Sequence, residues 1–468
     1  MRRSSIVAPL ILIAIGALFL ARNLYPELPV LDYIARYWPF VLIAWGALRL
    51  GEIVFWAASE RPMPRFGVSP GEWVLVIFLC IFGSSLHAVR GFSSWWPRSR
   101  VMIGGLDMFG ENYEFPLSGE KASGSAPRVV IENFRGNARI SAGDANEVKV
   151  TGHRTIRSLD QSAADNANAQ APLELTGDAN EIHIRNNQDR VSNGRVRLTA
   201  DMEITVPKGA SIEAHGIYGD FDINGVNGSV DIISDNAGVR LQDIGGDTRI
   251  DLRRSDVVRA SNVKGPFELK GRGGDVDLQD MQGPVTINGA YSGVLEFRNL
   301  AKPLHFQGEN TTLGVERLPG DVRMALGDMT GSNLVGPITL STRSRDVQLS
   351  DFTNSVDINV DRGDITLRPG VLPLARIEAQ TRSGNIDLAL PPNAKFDLSA
   401  TTSHGEVNND FGAPLRNEEQ GRGAALRGSN GGPTVTLHSD HGDVTVRKAT
   451  AEEKPAKEDT KSLKKIEQ

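Results

Sequence analysis

Between residues 219 and 367 an apolar residue recurs at steps of 18, 19, 18, 19, 18, 16 and 18: Val226, Ile244, Val263, Met281, Leu300, Leu318, Leu334 and Phe352. Four positions on stand Val230, Thr248, Phe267, Val285, Leu304, Val322, Ile338 and Val356. Six positions on stand Ile232, Ile250, Leu269, Ile287, Phe306, Met324, Leu340 and Ile358, so only Thr248 breaks the apolar rule in these columns. A further apolar pair precedes the first column, as in Val239 with Leu241, Val276 with Leu278 and Val347 with Leu349. Each unit therefore reads as two short alternating strands joined by turns. A unit this small cannot bury its own face, so the units must stack into an all-β repeat β-solenoid of about 18-residue coils.

Alternation sends one set of side chains inward and the next outward. The expected outward row is Asp231, Arg249, Glu268, Thr286, His305, Arg323, Thr339 and Asp357, all polar. A glycine column (Gly228, Gly246, Gly265, Gly283, Gly320, Gly336) falls where the backbone is expected to turn sharply, with Lys302 and Asn354 in two of the units. Each buried Val, Leu or Ile stabilises by roughly 1.5–3 kcal/mol before chain entropy is set against it. A long core without disulfides is then reasonable, and the single cysteine, Cys80, lies in an apolar segment.

All six tryptophans lie in the first hundred residues: Trp38, Trp45, Trp56, Trp73, Trp95 and Trp96. They flank apolar runs at about 6–21, 38–58 and 73–89, long enough to read as three transmembrane α-helices. A cleaved signal peptide is the competing reading of the first run, but no small-residue cleavage site appears before Arg22. Flanking arginines divide as Arg2, Arg3, Arg61 and Arg65 against Arg22, Arg36, Arg90, Arg98 and Arg100. Arg2 and Arg3 favour an inside N-terminus, which puts the solenoid outside the cytoplasm. The expected organisation is a membrane region at 1–90, a linker at 91–126, a β-solenoid at 127–447 and a disordered charged tail at 448–468. Within the solenoid, a capping block at 127–218 precedes regular repeats at 219–367 and looser coils at 368–447, with a glycine-rich loop at 411–433. Ser158 to Ala171 reads as a helix, Ser158 and Gln161 having capping-box spacing.

The segment RVRLTADMEITVPKGASIEAHGIYGDFDINGVNG, with later echoes in SGNIDLALPPNAKFDLSATTSHGEV and SDHGDVTV, resembles the bacterial putative-adhesin β-solenoid family over roughly 128–447. The first fifty residues, an apolar span ending in ARNL and then WPFVLIAWGALRL, resemble the LiaI/LiaF-type membrane region. The resemblance implies a bacterial cell-envelope protein at the inner (cytoplasmic) membrane, and neither family brings catalytic residues.

The search for chemistry returns no catalytic, cofactor-binding or metal-ligating residue. The cluster His438-Ser439-Asp440-His441-Gly442-Asp443 reads as strand–turn–strand, because Ser403-His404-Gly405-Glu406-Val407 repeats its frame. Asp220, Asp247, Asp275, Asp321, Asp364 and Asp443 beside glycines read as turn formers acting through their own side chains, not as a calcium repeat. Asp275 with Asp277, and Glu296, are the carboxylates a sugar-cleaving solenoid would need, yet no tryptophan follows Trp96 to stack a sugar. GRGGDV at 271–276 is a turn with no helix behind it. Net charge of −6 gives no case for nucleic acid. Arg49 and Glu52, three apart in the second span, read as snorkelling near an interface or pairing with each other, the alternative being contact with a membrane partner or with the first and third spans. The expected function is a non-catalytic binding, sensing or scaffold module, with an envelope-stress role, a surface adhesin and a polysaccharide-active enzyme as the competing readings. The expected partners are the lipid bilayer, another membrane signalling protein, and a second copy through the solenoid ends.

Overall fold

The computed structural model describes residues 102–103, 106–107, 111–158, 160–191, 196–420 and 423–450. It forms two compact units, Met1–Met108 and Phe109–Gln468. In the first, Met102–Ile103 and Leu106–Asp107 pair antiparallel. The three apolar segments lie outside the described residues, as does the chain beyond 450. Among the described residues, no helix is long and apolar enough to cross a membrane.

The second unit is a stack of coils, each contributing a strand to two walls. In the first wall, Val230–Asn236 pairs in parallel with Ser211–Tyr218 on one side and with residues 248–252 on the other. In the second, Val239–Ile244 lies in parallel between Phe221–Asn224 and residues 258–263. The apolar columns meet between the walls, where Ile232, Ile250, Leu269, Val239 and Leu278 are almost wholly buried.

The corner chemistry differs from expectation. The left-handed backbone falls on the residue just before the first column: Gly225, Asp243, Asn262, Asp280, Asn299, Asn333 and Asp351, with φ between 51° and 77°. Asn and Asp enter this region more readily than other side chains. They also bond along the stack, Asn262 Nδ2 donating to Asp243 Oδ1 at 2.5 Å and Asn299 Nδ2 to Asp280 Oδ1 at 2.6 Å. None of the column glycines adopts a left-handed φ. A Cβ at Gly265 would lie 2.4 Å from the Gly246 oxygen, and one at Gly283 2.1 Å from the Gly265 oxygen. Glycine is required there by the close approach of stacked backbones, not by the turn's dihedrals.

One coil runs backwards. Thr311–Met324 pairs antiparallel with every neighbour: 304–307 and 295–300 below it, and 335–342 and 329–332 above it. The chain reverses at 308–310, where Gly308 N–H bonds to the Thr311 carbonyl, and again at 325–327, where Ala325 N–H bonds to the Asp328 carbonyl. Expected columns are corrected accordingly. Val315 and Leu313, not Val322 and Met324, sit beside Leu304 and Phe306. Val322 and Met324 face Phe297 and Leu295 in the other wall. Arg323 leaves the outward row that holds His305, and Gly314 takes its place. The apolar pattern reads alike in both directions, so it carries no signal of the reversal.

Chain order and stacking order also part at both ends. Arg128–Arg135 and Ala138–Gly143 form a coil that lies between the coil at 211–224 and a coil built from Glu181–Arg185 and Arg197–Pro207. The block at 127–218 therefore continues the solenoid as well as capping it. At the far end Thr434–His441 inserts between Ile377–Ser383 and Asp397–His404. The outermost layer there is the hairpin of Arg416–Gln420 and Gly423–Ser429, inside the segment expected as a glycine-rich loop; Ala425 and Leu426 anchor it in the core. Residues 111–122, expected within a linker, form a twelve-residue strand paired along its length with Glu147–Ser158. Its free edge carries Pro116, Glu114, Glu120 and Lys121, features that oppose pairing with another edge.

The one α-helix among the described residues, α1 (Gln161–Gln170), lies against the strand Glu147–Ser158. Its N-cap is Asp160, whose carboxylate accepts from Ala163 N–H at 2.8 Å. The expected capping box at Ser158 does not form, because Ser158 ends a strand and is buried. Arg154 sits beneath α1, buried, bonded to Asn168 and Asn186 without a carboxylate. Burial lowers its guanidinium to about 10.

Candidate binding surface

The outward residues of the second wall come from alternate positions of stacked strands, so each stands directly beside its counterpart one coil away. One row reads Arg139, Asp222, Arg240, Arg259, Asp277 and Glu296. Two positions on, the neighbouring row reads Asn224, Gln242, Ser261, Gln279 and Arg298. Between them lies a groove of about 330 Å³, lined by Asp222, Arg240, Gln242, Arg259, Asp277 and Gln279. Buried Leu241 and Ala260 form its floor.

Its ends are neutralised. Asp222 lies 3.6 Å from Arg139, and Asp277 accepts from Arg298 Nη2 at 2.7 Å. That bond raises Arg298 above the ordinary arginine value. Glu296 is held by Arg323 at 3.1 Å, a contact only the reversed coil makes available. Arg240 reaches Asp220 at 3.3 Å. Arg259, directly opposite Arg240, is exposed and makes no hydrogen bond or ion pair among the described residues.

The first wall carries a denser charge ladder near its start. Arg128 bridges Glu181 and Glu213, Glu132 takes His183 and Arg185, and Glu268 takes Lys270 and Arg249. Such partners hold three glutamates below the ordinary carboxylate value: Glu132 chiefly through Arg185, Glu213 through His215 and Arg128, and Glu268 through Lys270. Beyond the reversed coil one outward row carries hydroxyls and amides, Ser341, Asn359 and Gln380, while the row beside it holds Thr339, Asp357 and Glu378.

The residues singled out in the sequence now have places. His438 bonds Asp440 at 3.0 Å and Thr401 at 2.9 Å, while His441 stacks on His404 of the adjacent coil with ring centroids 4.7 Å apart. The two similar frames are thus spatial neighbours, Gly405 lying against the Gly442 carbonyl. Among the described residues, no group of three or more His, Cys, Asp or Glu has the geometry to hold a metal ion. Four of the aspartates bond across coils rather than within their own turns. Asp220 accepts from Gly238 N–H, Asp275 from Val294, Asp364 from Asn385 and Asp443 from Glu406, at 2.7–3.0 Å. Sequence reasoning missed the arginine pair because residues 240 and 259 become neighbours only once the 19-residue register is applied to outward positions of this wall.

The Toastrack DUF4097 family profile matches residues 127–447, and that of the LiaI-LiaF-like transmembrane region matches residues 6–50. No match was found among curated proteins. A putative cell adhesion protein from Clostridium sporogenes aligns over 72% of this chain and 100% of its own, with 10% identity and a TM-score of 0.20. A putative adhesin from Bacteroides fragilis covers 72% and 97%, with 12% identity and a TM-score of 0.20. A putative lipid binding protein from Parabacteroides distasonis covers 72% and 97%, with 9% identity and a TM-score of 0.18. Alignments this loose transfer neither residues nor ligands. With the family profile spanning most of its length, this chain belongs to the Toastrack DUF4097 family and carries a LiaI-LiaF-like transmembrane region ahead of the solenoid.

Proposed function

We propose that this protein is a non-catalytic binding and sensing module of the bacterial cell envelope, a rigid solenoid anchored by three helices within residues 1–90 and displayed outside the cytoplasm. The observation that carries the reading is the state of its carboxylates. A sugar-cleaving site needs one carboxyl held above its ordinary value to donate a proton. Here Glu132, Asp144, Asp178, Glu213 and Glu268 are all drawn downward by partners. The candidate pair is likewise engaged, Asp277 by Arg298 and Asp275 by the Val294 N–H. Carboxylates engaged in this way support recognition over cleavage.

The match of residues 6–50 supports membrane association; the role we attach to it is in envelope stress, with a membrane signalling protein as the partner. The second reading, an adhesive or structural element touching wall or polysaccharide, draws on the polar groove of the second wall. A topology reporter fused after Gln468 tests the shared premise. Activity on the outer side supports both readings. Activity in the cytoplasm overturns adhesion and leaves a signalling scaffold. Recovery of a membrane kinase by crosslinking in intact cells then favours sensing, and retention on isolated wall favours adhesion.

A further inference from the structure

We infer that the groove on the second wall is an oxyanion site, with Arg240 and Arg259 as its cationic pair and an anionic glycan as its ligand. The inference rests on the reading of the chain as an envelope-binding module and gives that module a ligand class. Like charges directly opposite one another in a sheet are destabilising. Elsewhere along this row Arg139 stands beside Asp222 and Glu203, and Arg323 beside Glu296. The rule is broken twice in that row, at Asp277 with Glu296 and at Arg240 with Arg259; Arg298 bridges the two carboxylates, at 2.7 Å and 3.6 Å, and no carboxylate among the described residues bridges the two arginines. Departures from local consistency of this kind concentrate at functional sites.

The remaining groups of the groove complete the chemistry. Asp222 turns to Arg139 and Asp277, although opposite Arg259 in register, to Arg298, so neither forms an ion pair with Arg259. Arg240 keeps only the contact to Asp220 at its corner. A carboxylate or phosphate placed between the two guanidiniums accepts from both, the forked geometry favouring a planar or tetrahedral oxyanion over chloride. Gln242, Ser261 and Gln279 supply a parallel row of neutral donors and acceptors, one per coil, each about 4.8 Å from the next. That row suits successive hydroxyls of a sugar chain lying along the stack. The absence of a stacking aromatic from the groove lining favours recognition by charge and hydrogen bonds.

The test uses the full chain in detergent micelles, titrated with oligogalacturonate, with a phosphorylated mannan and with neutral dextran at fixed low salt. The account predicts binding of at least one anionic glycan, none of dextran, and steep weakening as salt rises. Arg259→Gln removes no side-chain bond of the folded state and relieves a like-charge contact, so it should not lower the unfolding midpoint, yet should weaken binding at least tenfold. Arg323→Gln, in the same row but outside the groove, should change it less than twofold. Binding of oligogalacturonate alone identifies a carboxylated source; binding of the mannan with competition by inorganic phosphate identifies a phosphorylated one. Unaltered affinity in Arg259→Gln, or equal binding of dextran, overturns the assignment. Retention on isolated envelope material is measured beside it. If wild type and Arg259→Gln are retained equally, the oxyanion site fails while the binding-module reading stands. If neither is retained, the reading itself fails.

Discussion

The strands at 295–307 and the coil that follows them at 311–324 carry the same alternation of apolar and polar side chains, yet the first run forward and the second backward. Both bury their apolar set between the walls, and both satisfy their backbone groups with neighbours. What separates them is the turn. The forward units pass through a left-handed Asn299 and into stacked backbone at the corner. The reversed coil is entered and left by tight hairpins at 308–310 and 325–327. Burial decides which side chains point inward, while turns decide which way the strand runs. The difference also has a surface consequence: the reversed coil supplies Arg323 to Glu296.

Glycine substitutions should separate the two regimes most widely. At Gly283 a Cβ meets the Gly265 oxygen at 2.1 Å, so Gly283→Ala should cost about 3 kcal/mol, since stacked backbone cannot give way. Gly327, at the tip of a reversing hairpin, has φ +88° and no atom within 4 Å of its Cβ position. Gly327→Ala should cost only the left-handed penalty of about 1 kcal/mol. Urea denaturation of both variants measures the gap, and equal losses would mean that the close stacking is overstated.

Arg345 is the next point of contrast. It bonds the Ala325 and Asp328 carbonyls and Thr311 Oγ1, joining both ends of the reversed coil. Arg345→Ala should cost about 1–2 kcal/mol and raise amide exchange at 308–311 and 325–328, whereas Arg259→Ala in a forward coil should cost under about 0.5 kcal/mol. Buried threonines should differ in sign. Thr248 Oγ1 in a forward coil has no hydrogen-bond partner, so Thr248→Val should stabilise by about 1 kcal/mol. Thr342 bonds Thr311 at 2.9 Å beside the reversed coil, and Thr342→Val should destabilise by a similar amount.

Acid gives the smallest and most diffuse effect. Glu132, Glu213 and Glu268 are held below the ordinary glutamate value of 4.5, so the stability they contribute is complete above that pH and lost as pH falls through their lower folded values. All three lie on coils ahead of the reversed one. Amide exchange at about pH 3 should therefore rise first in those coils relative to about pH 5, and uniform loosening along the stack would contradict the division.

Much of the fold was legible because burial leaves a periodic trace. The columns from Val226 to Phe306 stand where the 18- and 19-residue steps put them. Three things left no such trace. Direction was hidden because alternation is symmetric, which misassigned Val322, Met324 and Arg323. Stacking order was hidden because Thr434–His441 pairs with 377–383 and 397–404 by the same rule that consecutive coils obey. The strand Glu111–Ala122 was hidden because an edge strand needs few buried residues, only Leu117 being well buried. The groove lay in the same blind spot: outward residues follow no apolar rule, and Arg240 with Arg259 becomes visible only after the register is known.

Disulfide trapping in a Cys80→Ser background tests the reversed coil most directly. In the reversed register Arg323 stands opposite Glu296, within bridging reach for two cysteines. In a forward register it would instead stand beside His305. The account predicts that Glu296→Cys with Arg323→Cys oxidises readily within the folded chain, while His305→Cys with Arg323→Cys stays reduced. The opposite pattern would mean that the coil runs forward, and that the contact closing the end of the charged row does not exist.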